Sequence, residues 1–360
     1  MKGTVFLRII ALIVFTLFLL FLTRPDWENM GSDRTDKGRV PIAVLGDSDS
    51  HSYRDAHLGT RRGGDFHSVT YQWTEILARI RASEIDLGQF GYWGTRGIFY
   101  KIRSALGLDA RTPRKQDFQY NFARSGSTCR ELSPESYEQQ SFQLVRLMDK
   151  EPDYWRDGLV IIRIGINDLG QWSDLKIYVA GNTGKSSQQP IIECLNHIHN
   201  AVKLIHQHHP SVKTVLIGIA DNSNWPSAEE TDDIGHANIN KVLDVFDEGL
   251  IEIANNESNT LFIEDRAWFA SLMGKRSPSQ YVGRRHFSLG GSTTIDNTKG
   301  DHPGNIMLAD GHTGTVANAL WIRHVFKQIN RHFGTGFTPL QNSEIADLVD
   351  PQGNLGIAPS

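Results

Sequence analysis

Val44–Tyr53 reads VLGDSDSHSY: an apolar run stops at Gly46 and gives way to Asp47 and three serines, Ser48, Ser50 and Ser52. A serine hydroxyl becomes a useful nucleophile only when a base takes its proton. Histidine suits that task near neutral pH, and a carboxylate must orient its ring. The chain supplies such a pair late, in LADGHTGTVA, where Asp310 and His312 flank Gly311. A second pair, Asp301 and His302, stands a little upstream in DHPGN. Attack on an acyl carbonyl also needs fixed donors for the charge that forms on its oxygen. Two further stretches carry polar residues: NFARSGSTC, with Gly126 and Ser127, and IGINDLG, with Gly165, Asn167 and Asp168. In an extended segment positions two apart project to the same side, so Asp310 reaches His312, whereas adjacent Asp301 and His302 point apart. His312 is therefore the expected base and His302 the alternative.

Strands alternating with helices must place these residues. Apolar runs predict strands over 40–46, 117–123, 158–165, 211–220 and 260–266. Three- and four-residue apolar spacing predicts helices over 69–82, 139–150, 190–210, 233–256 and 313–333, the third opened and closed by proline. That alternation implies a parallel sheet covered on both faces, a three-layer α/β/α sandwich with a flavodoxin-like five-stranded sheet. Sites in such sheets lie at the carboxyl ends of the strands, which is where Ser48 falls. Gly-rich stretches at 59–68, 88–97, 181–189 and 271–304 read as loop insertions. The segment after Gly334, over 335–360, shows no clear pattern and is expected to be loosely held.

The ends and the composition set the context. Val5–Leu22 is almost wholly apolar, broken by Arg8 and Thr16, with Lys2 and Arg8 ahead of its most apolar part. Residues 1–24 are expected to act as an uncleaved signal anchor, with a cleaved signal peptide as the alternative, and 25–38 as a polar tether. The positive flank would stay in the cytoplasm, leaving the body (39–334) exported, membrane-anchored or secreted. The net charge of −4 and the lack of a dense basic cluster speak against nucleic-acid binding. Cys129 and Cys194 are the only cysteines, and the sequence leaves open whether they pair. His197, His199, His206, His208 and His209 lack the i,i+4 spacing around a glutamate that a zinc helix shows, so they read as a solvated face with no metal implied. Phe90, Tyr92 and Trp93, with Arg96, read either as a stacking surface for a sugar or as packing under their own loop.

At this point the chain resembles the SGNH hydrolases, also called the GDSL lipase/esterase superfamily. Its four blocks appear in family order from about Val40 to Phe333: Gly46-Asp47-Ser48, the Asn/Ala-rich block with Gly126, Gly165-x-Asn167-Asp168, and the late Asp/His block. The resemblance implies Ser48 as nucleophile, His312 as base and Asp310 as its orienting acid. It implies an oxyanion hole from the Ser48 and Gly126 backbone N–H groups and the Asn167 amide, with Asp47 and Asp168 as supporting carboxylates and no cofactor. One departure stands out: the family usually has two residues between acid and histidine, and here only Gly311 intervenes. The expected function is a serine esterase acting on acetyl or short acyl esters of an extracytoplasmic carbohydrate or small ester. The alternatives are a polysaccharide O-acetyltransferase of the same fold and a non-catalytic, membrane-tethered glycan-binding protein.

Overall fold

A computed structural model describes residues 38–353, other than 59–60, 96, 107–110, 171, 221–223, 227–231, 275–285 and 291–292, together with Thr16. The anchor and tether expected over 1–38 lie outside the described residues, save Thr16 and Gly38, and so does Arg96. Among the described residues no helix is long and apolar enough to cross a membrane. The chain divides into two compact units. The smaller, 1–37 with Tyr92–Lys115, contains the helix Gly97–Ala105, and its Arg114 guanidinium lies over the Tyr92 ring at 5.4 Å. The larger, Gly38–Gly91 with Gln116–Ser360, holds everything described below.

Five parallel strands form its main sheet: β1 (Val40–Gly46), β2 (Ile85–Asp86), β3 (Leu159–Arg163), β4 (Lys213–Ile217) and β5 (Thr260–Ile263), in the order β2-β1-β3-β4-β5. This is the flavodoxin-like order. Successive strand residues face opposite sides, so each apolar strand feeds two cores. Ile42, Val44, Ile161, Val215 and Ile217 pack on one face, against α1 (Trp73–Ile80), α5 (Asp265–Met273) and α6 (Thr315–Phe333). Ala43, Leu45, Val160, Ile162 and Leu216 pack on the other, against α2 (Gln140–Met148), α3 (Lys185–His208) and α4 (Asp233–Asn256). The three-layer α/β/α sandwich follows from that division.

Four expectations need correction. The strand expected over 117–123 is not continuous. It ends as a strand at Phe118, and a single bridge joins Asn121 to Val44. Val44 N–H donates to Tyr120 O and Phe122 N–H to Val44 O, beyond the point where Ile85–Asp86 pairs with Val40 and Pro41. Two separate pieces thus fill the edge lane beside β1, because the inserted segment leaves and re-enters it. Asn121 Oδ1 also takes the Ala123 N–H, which bends the returning piece out of ladder geometry. Helix α1 begins at Trp73, later than expected, because Gln72 caps it: Gln72 accepts from Thr74 N–H while Glu75 accepts from Gln72 N–H. Helix α3 begins at Lys185 and carries Pro190 inside it, so the proline does not open it. Over its described part, residues 335–353, the segment after Gly334 is packed rather than loose. Phe337 stacks on Phe326 at 4.7 Å, and helix α7 (Asn342–Val349) buries Ile345 and Val349. Arg81 grips Glu344 through both Nη atoms, at 2.7 and 2.8 Å.

Cys129 and Cys194 are joined as a disulfide, with Cα atoms 5.0 Å apart, which resolves the pairing the sequence left open. It ties the turn after Ser127 to α3. The expected 271–304 insertion contains two strands of a small sheet, His286–Gly290 and Thr293–Lys299, and the third, Asn305–Met307, follows it and leads the chain to Asp310.

Candidate active site

Gly46 ends β1 where the backbone of β3 comes closest: a Cβ there would sit 2.3 Å from Arg163 O. The Gln140 side chain pairs with its peptide in both directions, 2.8 Å to Gly46 N and 2.9 Å to Gly46 O. The chain then turns sharply. Asp47 Oδ1 accepts from Asp49 N–H at 2.9 Å, and Asp47 O accepts from Ser50 and His51 N–H. Ser48 sits at the apex of this turn, half-buried, and its Oγ makes no hydrogen bond among the described residues. Ser50 and Ser52 are buried and bound to Trp73 Nε1 and to Glu75. Of the three serines, Ser48 alone keeps its hydroxyl uncommitted. Burial, reinforced by the Asp49 charge, pushes the Asp47 carboxyl well above the usual range.

Beneath the turn lies Arg163, at the end of β3. Its Nη1 holds Asp49 O at 3.1 Å, its Nη2 lies 3.7 Å from both Asp49 and Asp265, and its guanidinium stacks on Trp321 at 4.2 Å. Trp321 Nε1 in turn donates to both Asp265 oxygens. Burial dominates at Asp265 and pushes its carboxyl up to about 7, despite the arginine.

The second and third blocks meet directly. Asn167 Nδ2 donates to Ser127 O at 2.8 Å, and Asp168 Oδ2 accepts from Cys129 N–H at 3.0 Å. Arg124 N–H returns to Gly46 O, which fastens this pair of segments to the end of β1. Gly126 is exposed with φ +85°, and a Cβ there would meet nothing within 4 Å. Backbone conformation, then, and not crowding, selects glycine here.

The last block forms a turn, not the expected extended segment. Gly311 adopts φ +90° and donates to Leu308 O, while His312 N–H donates to Asp310 Oδ1 at 3.1 Å. His312 Nδ1 comes 3.1 Å from Asp310 Oδ2, within ion-pair range but not aligned as a hydrogen bond. Burial works to raise the Asp310 carboxyl. The His312 contacts and the Arg62 charge outweigh it and hold the group well below the usual range. The rival pair does not assemble: Asp301 accepts from Ala309 N–H, and His302 Nδ1 accepts from Gly304 N–H. Tyr53, five residues after Ser48, packs edge-on to His312 and donates to Thr313 O, tying the nucleophile turn to the last block.

Nothing in the sequence pointed to Arg62. Its Nε donates to Asp310 Oδ2 at 3.0 Å, and its Nη2 lies 3.0 Å from His312 Nε2. A guanidinium only donates, so Nε2 carries the lone pair and the ring proton sits on Nδ1, facing Asp310. Among the described residues no hydrogen bond joins Ser48 Oγ to His312 or His302; the nitrogen that would take the serine proton faces Arg62 instead. The five histidines from 197 to 209 do not converge on one site: their partners are Ser133, Glu257, Thr214 and, shared by the last two, Asp149. Trp93 is buried, while Phe90 and Tyr92 are exposed.

A family model described as GDSL-like Lipase/Acylhydrolase matches residues 42–282. The chain belongs to the GDSL-like lipase/acylhydrolase family. This family is one of ester hydrolases, and the match contains the first three blocks while ending before Asp310. No curated protein matches the chain in sequence. Among solved structures, the extracellular lipase of Streptomyces rimosus is 15% identical over 64% of this chain and 82% of its own, with a TM-score of 0.35. The acetyl-xylooligosaccharide esterase Axe2 of Geobacillus, in a mutant form, is 14% identical over 85% and 99%, with a TM-score of 0.39. A GDSL-like lipase of Parabacteroides merdae is 15% identical over 65% and 81%, with a TM-score of 0.36.

Proposed function

We propose that this family member is a serine esterase that cleaves acetyl or short acyl esters through an acyl-enzyme on Ser48. The observation that carries the reading is a pair of complementary groups, the second covered by the Arg62 side chain in this structure. Ser48 has an uncommitted hydroxyl at the carboxyl end of β1, and His312 has a lone pair on Nε2 with its proton on the Asp310 side. In the proposed reaction Ser48 Oγ attacks the acyl carbon while its proton passes to His312 Nε2. The carbon–alkoxy bond then breaks, and the leaving alcohol takes that proton. Water attacks the acyl-serine next, giving a proton to Nε2, and the acid departs as Ser48 Oγ recovers it. Asp310, ionised, stabilises the imidazolium in each half. The N–H groups of Ser48 and Gly126 and the Asn167 amide would hold the oxyanion. Arg62 must leave Nε2 before the first transfer, so the described arrangement is a resting one.

Charged and amide side chains around these segments favour a small acyl group over a long one. The apolar Val5–Leu22 and the Cys129–Cys194 bond both favour an exported protein meeting extracytoplasmic esters, acylated polysaccharide among them. The test is turnover of p-nitrophenyl acetate, octanoate and acetylated sugars by the wild type and Ser48→Ala. Acetate turnover that vanishes in the variant is expected. Turnover indifferent to Ser48 overturns the reading, and acyl transfer to a glycan without hydrolysis makes the protein an acetyltransferase.

A further inference from the structure

His51 follows Ser48 in the same turn and is almost fully buried, at 2% exposure. Its Nε2 lies 3.0 Å from Asp55 Oδ2. Its Nδ1 lies 3.1 Å from Ser125 N and 3.0 Å from Ser125 Oγ. A backbone N–H can only donate, so Nδ1 carries the lone pair and the ring proton sits on Nε2, shared with Asp55. Burial works to raise the Asp55 carboxyl, but the His51 hydrogen bond and the His57 N–H outweigh it and hold it ionised. The line of serine, histidine and carboxylate resembles a nucleophile with its base. Yet the lone pair a base would need is held, in a buried site, by a backbone N–H that cannot swing aside as a side chain can, so the ring acts as a clamp on residue 125.

What the clamp holds is the turn Arg124–Ser127. Ser127 N–H donates to Arg124 O, Gly126 has φ +85°, and Ser125 keeps a negative φ. That is the pattern of a type II turn with glycine at its third position. Types I and II differ by a flip of the central peptide, here Ser125–Gly126, and the flip reverses the direction of Gly126 N–H. Both ends of the turn are tied, Arg124 N–H to Gly46 O and Ser127 O to Asn167. The flip turns about ψ of Ser125 and φ of Gly126 together, and His51 holds the N–H and hydroxyl of the first of these two residues. Gly126 N–H itself donates to nothing among the described residues.

We propose that His51, oriented by Asp55, is a positioning residue for the oxyanion turn: it fixes Ser125 so that Gly126 N–H faces the carbonyl oxygen of the bound ester. The inference rests on the serine-esterase reading. His51 touches no reacting atom.

Two near-isosteric variants of the full chain test it. His51→Asn keeps an acceptor near the Nδ1 position but cannot reach Asp55; His51→Gln keeps a donor toward Asp55 but offers no acceptor to Ser125. Thermal melting of each variant is the check that it folds. With p-nitrophenyl acetate, His51→Gln is expected to lose about 10- to 100-fold in kcat with KM within about threefold, because the donor is misaimed only as charge develops. His51→Asn should recover most of that loss. Labelling of Ser48 by a fluorophosphonate, whose phosphoryl oxygen uses the same donors, should slow in parallel with kcat. Equal losses in both folded variants, or full kcat in His51→Gln, overturn the proposal while Ser48-dependent labelling leaves the esterase reading standing. A wild type with neither turnover nor labelling overturns both.

Discussion

The larger unit holds two histidine–carboxylate pairs beside the same serine turn, and they are built oppositely. In His51–Asp55 both side chains are only 2% exposed, and both ring nitrogens are satisfied by aligned partners. In His312–Asp310 the side chains are 23% and 36% exposed, and Nδ1 is close to its carboxylate but not aligned with it. The tautomers are reversed as well, with the proton on Nε2 in the first and on Nδ1 in the second. Both carboxylates are held ionised by their histidines against the pull of burial. The difference lies in what holds each lone pair: a backbone N–H in the first, a side chain that can swing away in the second. A saturated, buried pair holds one geometry. A half-exposed, imperfectly aligned pair can gain and lose a proton within one turnover, as a general base must.

The largest effect that would break this comparison is loss of chemistry at the second pair alone. Ser48→Ala and His312→Ala are each expected to lower kcat/KM for p-nitrophenyl acetate by at least about 10⁴-fold, as removal of nucleophile or base does in such constellations. His302→Ala should stay within about twofold. Melting temperatures should move little for His312→Ala, which removes a partly exposed ring. If His302→Ala is the silent enzyme, the base has been assigned to the wrong pair.

A third carboxylate sharpens the contrast through pH. Asp265, under the same turn, is pushed up to about 7 against an ordinary 3.8. Between those values the folded state keeps a proton that the unfolded state has released, so this group's contribution to stability falls as pH rises from about 4 to 7. At about 1.4 kcal/mol per unit, the loss is at most about 4 kcal/mol. Asp310 acts with the opposite sign: its contribution is present above the unfolded value and lost as pH falls below it. Urea midpoints for Asp265→Asn should therefore depend less on pH over that window than the wild type. An unchanged slope would show that Asp265 is ionised beside Arg163 throughout.

Asn167→Ala should lower kcat by about 10²- to 10³-fold with little change in KM, the usual loss for one oxyanion donor. Asn167 also ties down Ser127 by donating to its carbonyl oxygen, so the split between kcat and KM supplies the control: a KM that rises as kcat falls, with a lowered melting temperature, would mean that the residue acts by shaping the loop.

Most of the scaffold was legible in the sequence because strand and helix periods are local properties. Val40–Gly46 and Asp233–Asn256 appear where their apolar spacing puts them. The split edge lane was not legible, since Ile85–Asp86 and Asn121 become neighbours only by pairing with the same strand. The packed C-terminal segment was hidden for a similar reason: Phe337 meets Phe326 only when the chain folds back along α6, and Glu344 meets Arg81 from far upstream. In the site, order along the chain exposed Ser48, Asn167, Asp310 and His312 as candidates. His51 and Asp55 carried a usable signal, a histidine and an aspartate four apart beside the serine, which spacing alone places on one side of a helical turn. Arg62 carried none, because its meaning depends wholly on the fold bringing it to Asp310.

Arg62 gives the smallest expected effect and the sharpest probe of the comparison. Its guanidinium is buried, stacked over Tyr53 at 4.7 Å, and bound to both members of the exposed pair, with Nη1 lacking a hydrogen-bond partner among the described residues. On the buried pair, the matching ring nitrogen is occupied by the Ser125 amide instead of a cation. If Arg62 covers Nε2 in the resting state, every turnover begins by moving it. Arg62→Leu should then raise kcat/KM for a small neutral ester by about three- to tenfold, equivalent to about 1 kcal/mol. The guanidinium also braces Asp310, and a fall of tenfold or more would mean that bracing outweighs obstruction. Arg62→Lys separates the two: a lysine can keep the charge near Asp310 but cannot bridge both residues with a rigid fork. Gain in both variants identifies obstruction of Nε2 as the dominant role, whereas loss in leucine with recovery in lysine identifies the charge on Asp310.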